Sequence, residues 1–255
     1  MRRHECRRGR HECLRHGLRR CVAPSALLLF AANLPAATVV GQFKLIDSAA
    51  ASVTRYKDYS GVVVWLEPMA GKAPAPAGGV HTILQRNKRF MPHLSVIPVG
   101  TLVDLPNLDP IFHNAFSNFA GQPFDTGLYR PGGTQKVRFS REGVVRVFCN
   151  IHSSMSAVIV VVNTPWYGST GKDGMFRLDN VPPGEYMLRV WHERASEPAL
   201  KKIERKVTVG ADGAALAETP ISEAGYLALP HMNKYGTDYT PEPPARVPYS
   251  AGGGR

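Results

Sequence analysis

Short apolar runs separated by turn residues recur along the chain. Residues 175–178 and 186–191 alternate apolar and polar side chains with a period of two, which predicts strands with one buried face. Residues 157–162 are apolar at every position, which predicts a strand inside a sandwich. No window predicts an amphipathic helix. Further short apolar runs lie at residues 61–66, 94–99 and 143–148.

Glycine and proline mark the ends of these runs. Residues 131–133, 173–174 and 182–184 combine Gly with Pro or Asp, which is typical of turns. The 255 residues include 24 Gly and 21 Pro, a content that suits many tight connections. Many short strands with regular turns predict an all-β protein built from sandwiches. Residues 69–79 are rich in Ala, Gly and Pro and predict a linker or long loop.

The first 37 residues have the pattern of a secretory signal. A basic segment precedes an apolar stretch at residues 26–32, and small residues follow at Ala36 and Ala37. We therefore expect export, a periplasmic location and cleavage after Ala36 or Ala37. A buried helix of the mature fold is the alternative for the apolar stretch. The rest of the chain lacks the roughly 20 consecutive apolar residues that cross a bilayer, so no stable membrane span is expected after signal removal.

Charge and cysteine content both change once this signal is set aside. The formal net charge is +11, but residues 1–21 contain eight Arg and two Glu and leave only +5 for the remainder. This remaining charge is spread along the chain without aromatic clusters, so nucleic acid is not an expected partner. Cys6, Cys13 and Cys21 lie in the predicted signal. The mature chain then keeps Cys149 alone and cannot form an internal disulfide.

Cys149 begins a run of soft donor residues between two valine-rich strands. His152 and Met155 follow at intervals of three, so one predicted hairpin loop carries a thiolate, an imidazole and a thioether. A copper ion that changes oxidation state with little rearrangement is suited by two imidazoles, one thiolate and a weak axial thioether. The hairpin lacks a second imidazole. His113, in a separate upstream loop, is the candidate.

Three other interpretations of these residues stay open. Cys149 could be an inert buried thiol, with His152 on the surface and Met155 in the core. Zinc would accept Cys and His, but Met is a poor zinc ligand. A nucleophilic Cys–His pair is the third, although no orienting carboxylate is evident near the loop.

The donor pattern resembles that of the cupredoxins, the small blue-copper proteins. Their pattern is an upstream His-Asn followed by a Cys-His-Met loop between the last two strands, which His113-Asn114 and Cys149, His152 and Met155 match, with a spacing most like the amicyanin type. The resemblance covers residues 80–162 and implies a Greek-key sandwich whose cofactor is one Cu(I)/Cu(II) ion held by those four residues. It also implies that the backbone N–H of Asn114 hydrogen-bonds the Cys149 sulfur.

A second resemblance lies outside this region. Residues 171–190 resemble the Asp-x-Gly-x-Phe and Pro-Pro-Gly-x-Tyr signature of the transthyretin-like, carboxypeptidase regulatory modules, which are small β-sandwiches. A structural or docking role is implied for this module. Whether the copper domain is inserted into the second sandwich or packed on it is left open. The expected parts are a signal (1–37), opening strands of the second sandwich (38–68), the cupredoxin domain (80–162), the remainder of the second sandwich (163–225) and an extended or disordered tail (226–255).

The resemblances together imply an exported type 1 (blue) copper protein that carries single electrons between periplasmic redox proteins. No enzymatic activity is expected, because Phe148 and Asn150 flank Cys149 where copper nitrite reductases and multicopper oxidases carry a His that wires a second copper. Proteins of this layout resemble a set labelled methylamine-utilisation proteins. The leading alternative is copper binding, buffering or delivery without dedicated electron transfer. A sandwich protein that has lost copper is the other alternative.

Overall fold

The computed structural model describes residues 37–119, 121–228 and 230–239. This part of the chain is nearly all β, which confirms the predicted fold class. The strands in chain order are β1 (Ala37–Ile46), β2 (Val63–Pro68), β3 (Val80–Thr82), β4 (Leu84–Gln85), β5 (Phe90–Met91), β6 (Leu94–Pro98), β7 (Leu102–Pro106), β8 (Phe116–Ser117), β9 (Phe124–Asp125), β10 (Thr134–Arg138), β11 (Gly143–Phe148), β12 (Ser156–Val162), β13 (Tyr167–Ser169), β14 (Met175–Val181), β15 (Gly184–Trp191), β16 (Arg205–Val209), β17 (Ala214–Ala215) and β18 (Thr219–Ser222). The helices are α1 (Ala51–Thr54) and α2 (Glu197–Ile203).

The predicted signal lies outside the described residues except for its last position. Ala37 is the first residue of β1, is buried, and pairs with Val181. The boundary at residue 37 therefore extends one residue into a strand, whereas cleavage after Ala36 leaves β1 whole. No helix in the described part of the chain has the length and apolar character needed to span a membrane.

Helix α2 forms although no window of the sequence predicts an amphipathic helix. Its N-cap is Ser196, whose side chain accepts a hydrogen bond from the backbone N–H of Ala199. Glu197 and Lys201 form an ion pair one turn apart on its surface. With seven residues and Leu200 alone buried, α2 is too short to produce a helical hydrophobic period.

One sandwich, here the flanking sandwich, comprises residues 37–68 and 167–222. In its first sheet β1 pairs antiparallel with β14 and parallel with β17 and β18. Its second sheet has the antiparallel order β13-β2-β15-β16. Alternate residues of β14 and β15 enter one core, as their period of two predicts. These core residues are Phe176, Leu178, Tyr186, Leu188 and Val190.

The turn into β14 depends on Gly174. Its φ of +77° lies in the left-handed region, and a Cβ at this position would lie 2.0 Å from the carbonyl oxygen of Phe43. The same approach lets the Phe43 N–H donate to the Gly174 carbonyl at 2.9 Å. This close contact joins β1 to β14, and the rings of Phe43 and Phe176 stack beside it at 5.5 Å.

The other sandwich, here the central sandwich, comprises residues 80–162. Its sheets have the orders β10-β7-β3 and β6-β12-β11-β8-β9, and β4 pairs with β5. On either side of it in the chain, β2 and β13 pair directly, with Trp65 opposite Tyr167. The central sandwich is thus made from chain that leaves the flanking sandwich after β2 and returns to it at β13.

Strand β12 is buried on both faces. Ala157, Ile159 and Val161 enter the core of the central sandwich. The alternate residues Val158, Val160 and Val162 form a second apolar cluster with Val63 of the flanking sandwich. This double burial explains why residues 157–162 are continuously apolar, and it confirms the prediction of an interior strand.

An ion cluster lies at the edge of this contact. The His93 Nε2 atom is 2.8 Å from the Glu193 carboxylate, and Arg146 reaches the same carboxylate at 3.3 Å. The hydrogen bond to Glu193 raises the pKa of His93. Burial alone would raise the pKa of Glu193, but the hydrogen bond from His93 and the nearby arginines hold it below its usual range. His93 and Arg146 belong to the central sandwich and Glu193 to the flanking one, so the cluster joins the two.

We predict that His93→Gln lowers stability most in mildly acidic solution. Because the pKa of His93 is raised in the fold, its contribution is fully present below 6.5, the ordinary value, and is lost as pH rises through the raised value. Glu193 must also stay ionised for the ion pair to form. The stability that His93 contributes is therefore largest between pH 4.5 and pH 6.5. Since His93 is half exposed, we expect about 0.5–1 kcal/mol. The free energy of urea unfolding at about pH 5.5 and about pH 8.5 measures it.

His81→Gln is the matched control, because burial lowers the pKa of His81 and its nearest polar partner is the hydroxyl of Ser95 at 2.9 Å. The pH dependence of that variant should run in the opposite direction. A stability loss for His93→Gln that is as large at the higher pH as at the lower one would contradict the prediction.

Candidate metal centre

The loop between β11 and β12 carries Cys149, His152 and Met155. The Cys149 N–H donates to the Met155 carbonyl at 3.1 Å, and the Met155 N–H donates to the His152 carbonyl at 3.1 Å. These two bonds close the hairpin tightly. Cys149 and Met155 have no exposed surface, and both belong to the core of the central sandwich, while His152 is 6% exposed.

His113 reaches the loop from the segment between β7 and β8. Its backbone pairs with that of Tyr129, through hydrogen bonds of 3.2 and 2.9 Å. The Tyr129 hydroxyl in turn donates to the Leu105 carbonyl on β7 at 2.9 Å. The segment is thereby held to the sheet, and the His113 side chain is fully buried.

Three of the four predicted ligands converge on one point. The Nδ1 atoms of His113 and His152 lie 3.9 and 3.6 Å from the Cys149 sulfur. The two imidazole rings are 4.9 Å apart, and the three ligand atoms lie within 4.8 Å of one another. Met155 is buried on the same loop. The arrangement offers two nitrogen donors and one sulfur donor to a single ion.

Asp109 orients His113, and sequence reasoning missed it. Its carboxylate lies 2.7 Å from the Nε2 atom of His113. A carboxylate accepts, so Nε2 keeps a proton, and Nδ1 is the nitrogen that faces the Cys149 sulfur and can bind an ion once it is deprotonated. The backbone N–H groups of Asn87 and Lys88 donate to the same carboxylate at 2.6 and 2.9 Å. The one signal in the sequence is an acidic residue four positions before a candidate ligand.

Electrostatics of the metal-free site lower the pKa of Cys149. Burial opposes ionisation of Cys149, but a hydrogen bond from His113 and others from the backbone N–H groups of Ile151, Asn114 and His152 hold its pKa below the ordinary value. Burial likewise opposes protonation of His113, and the hydrogen bonds to Cys149 and Asp109 outweigh it and raise its pKa. A thiolate is the form of cysteine that binds metals.

Asn114 contacts the site through its backbone and its side chain. Its backbone N–H is among the groups that hold the pKa of Cys149 below the ordinary value. Its side-chain oxygen accepts from the Asn150 N–H at 2.7 Å, and its side-chain nitrogen donates to Asp125 at 2.7 Å. Asn114 therefore links the segment of His113 to that of Cys149.

The C-terminal segment also reaches the loop, which the sequence did not predict. Residues 230–239 contain no strand or helix, yet Tyr239 donates its hydroxyl to the Cys149 carbonyl at 2.6 Å. The ring of His231 stacks on Phe148 at 4.0 Å, and Lys234 contacts Asn150. Nothing in the composition of this segment marks these residues, because their contacts are with a distant part of the chain.

The chain matches no protein-family model and no curated protein. Among solved structures it is similar to a purple cupredoxin from Nitrosopumilus maritimus, at 26% identity over 32% of this chain and 99% of that one, with a TM-score of 0.30. It is also similar to the Cu-containing nitrite reductase of Thermus scotoductus, at 28% identity over 38% of this chain and 25% of that one, with a TM-score of 0.31. A third is a mutant of amicyanin in its Cu(I) form, at 13% identity over 39% of this chain and 98% of that one, with a TM-score of 0.31.

We predict that Asp109→Asn weakens binding of Cu(II) by about 10- to 100-fold, because the amide no longer fixes the protonated nitrogen of His113. Competition titration against a chelator of known affinity measures this. Asp104→Asn is the control, since Asp104 pairs with Lys136 on the surface of the same sandwich. Equal affinities of the two variants would show that Asp109 has no part in orienting the ligand.

Proposed function

We propose that His113, Cys149, His152 and Met155 bind one copper ion and that the protein carries single electrons between redox partners. The observation that carries this proposal is the approach of two imidazole Nδ1 atoms to one buried thiol sulfur, at 3.9 and 3.6 Å. Two imidazoles, a thiolate and a weak thioether are the ligand set of copper electron-transfer sites. Bound copper would supply one-electron chemistry by alternating between Cu(I) and Cu(II).

The residues around the candidate ligands orient them, affect their protonation and restrain their positions. Asp109 keeps a proton of His113 on Nε2, so that Nδ1, which faces the sulfur, is the nitrogen that would bind the ion once it is deprotonated. The backbone N–H of Asn114 is among the groups that lower the pKa of Cys149. Burial of the ligands excludes water, and the hairpin hydrogen bonds restrain the loop. Such restraint supports electron transfer, which is fastest where the ligands move little between oxidation states.

The edge nearest His152 is the route we propose for electrons. His152 is the one of the four ligands with measurable exposure, at 6%. Its neighbour Ile151 exposes 39% of its surface, and Phe112, next to His113, exposes 55%. Apolar groups beside a ligand suit brief contact with a partner, because they exclude water without forming ion pairs that slow release. The partners are then redox proteins with a matching apolar surface.

We propose a carrier and not an enzyme. Cys149, His113 and Asp109 form a hydrogen-bonded series like that of a nucleophilic triad. However, the Cys149 side chain has no exposed surface, so a substrate cannot reach the sulfur. Phe148 and Asn150 flank it in the chain, where a second copper would need a histidine ligand. The sequence pattern of residues 1–37 supports export and action in the periplasm.

The test is the visible and EPR spectrum of the full chain after addition of Cu(II). We expect an intense thiolate-to-copper band and a narrow copper hyperfine splitting, because a short bond to the Cys149 sulfur would delocalise the unpaired electron. Both should vanish in Cys149→Ala and persist in Cys21→Ala, which removes a thiol of the predicted signal. Met155→Leu should keep the band and raise the reduction potential, since loss of a weak ligand disfavours Cu(II).

A colourless complex, or a spectrum that survives Cys149→Ala, would overturn the carrier proposal. Preferential binding of Cu(I), with rapid exchange of the metal to a chelator, would instead support copper buffering or delivery. A chain that binds neither ion would support a sandwich that has lost copper.

A further inference from the structure

Residues 230–239, here the C-terminal clamp, contact the loop of Cys149 and, through Lys234, Asp125 of β9. On one side the His231 ring stacks on Phe148 at 4.0 Å, with an angle of 28° between the planes. Phe148 directly precedes Cys149 and also packs against Phe116, at 5.9 Å. The clamp therefore extends the aromatic packing that supports the end of β11.

Lys234 closes a ring of hydrogen bonds beneath these loops. Its backbone N–H donates to the side-chain oxygen of Asn150 at 2.9 Å, and its ammonium group donates to the Asp125 carboxylate at 2.7 Å. The Asn150 N–H donates to the side-chain oxygen of Asn114, and the Asn114 amide donates to the same carboxylate. The four residues are thus joined in a closed circuit.

Two members of this ring are sequence neighbours of the candidate ligands. Asn114 directly follows His113, and Asn150 directly follows Cys149. The ring consequently fastens the two ligand-bearing segments to each other at the residues next to their ligands. Lys234 is the member of the ring that comes from outside the central sandwich.

Tyr239 restrains Cys149 directly. Its hydroxyl donates to the Cys149 carbonyl at 2.6 Å and lies 3.1 Å from the Nδ1 atom of His231. The N–H of Cys149 is already bonded to the Met155 carbonyl. Both backbone polar groups of the candidate thiolate ligand are therefore fixed, one of them by the clamp.

The chain that precedes the clamp is anchored in the flanking sandwich at Glu223. Glu223, just after β18, is buried and accepts hydrogen bonds from His192 at 2.7 Å and from Arg194 at 3.0 Å. The Ser48 hydroxyl donates to the same carboxylate. Since three groups hold this carboxylate, the chain that follows starts from a fixed point before it crosses to the loops.

We propose that Lys234 and Tyr239 are positioning residues for the metal centre, which hold the His113 and Cys149 segments in contact before an ion binds. This inference rests on the proposed copper site. It assigns a role to the flanking sandwich, namely the support of a clamp that the central sandwich lacks. The Lys234 side chain is 24% exposed, and the hydrogen bond from its ammonium to the Asp125 carboxylate is charged, a kind that is stronger than a neutral one.

The first experiment uses the metal-free full chain, with Cys6, Cys13 and Cys21 replaced by serine so that Cys149 alone reacts. The rate at which an aromatic disulfide reagent modifies Cys149 measures how often the loops separate. We expect Lys234→Ala and Tyr239→Phe each to raise this rate about tenfold, since each removes one strong hydrogen bond. Lys234→Arg should restore the original rate, because its guanidinium can still bind Asp125.

Two surface substitutions in the flanking sandwich are the matched controls. Lys206→Ala removes a lysine paired with Glu185 at 3.8 Å, and Tyr56→Phe removes the hydroxyl of a tyrosine that is 69% exposed. Both should leave the Cys149 rate unchanged. Clamp variants that react no faster than these controls would overturn the proposal. Far-UV circular dichroism and the urea midpoint identify any variant that reacts because the whole chain unfolds.

The second experiment repeats the comparison with copper bound. The clamp variants should weaken copper binding and shift the reduction potential, whereas Lys206→Ala and Tyr56→Phe should change neither. If the original chain has the Cys149-dependent band and the clamp variants keep its affinity and potential, the positioning role fails while the copper function stands. If the chain binds no copper but the clamp variants expose Cys149 faster, the copper function fails while the restraint of the two loops stands.

Discussion

Both faces of β12 are apolar and must be buried away from water. One face completes the core of the central sandwich through Ala157, Ile159 and Val161, and the other packs against the flanking sandwich through Val158, Val160 and Val162. Because a strand buried on both faces cannot slip in register without exposing or overpacking one of them, β12 is a fixed reference for its neighbours. The loop from Cys149 to Met155 joins β11 to this strand. The candidate site is therefore attached to the most constrained part of the sheet.

The parts of the site that the sequence predicted are those whose signal is local or chemically unusual. Cys149, His152 and Met155 stand at regular short intervals, and a hairpin brings such neighbours together whatever the rest of the fold does. His113 was found because a copper site needs a second imidazole. The all-β class followed from the alternating apolar and polar residues of β14 and β15 and from the continuous apolar run of β12. These two patterns follow directly from which faces of a strand are buried.

Residues that act through contacts with distant parts of the chain produce no such pattern in the sequence. Asp109 bonds His113 across one loop, and an acidic residue at that spacing is common in chains without any metal. Lys234 and Tyr239 contact the site from a segment without hydrophobic periodicity, and their partners stand 84 and 90 residues away. Helix α2 is stabilised by a cap and an ion pair, and its seven residues are too few to show a helical hydrophobic period. All of these features depend on which residues lie close together in the folded protein. No pattern in a single sequence encodes that proximity.

The pairing of β2 with β13 has a consequence for the order of folding. These strands can meet only after about a hundred intervening residues have been brought back on themselves, and the entropy lost in closing a loop grows with its length. Gly78, just before the central sandwich, packs against the backbone of Gly100, and the neighbouring Val99 N–H donates to the Val162 carbonyl at 2.9 Å. Both ends of the central sandwich thus lie beside residues 99–100. Early folding of the central sandwich leaves only the connections at residues 69–79 and 163–166 to be closed, so the flanking sandwich forms most readily once the central one is complete.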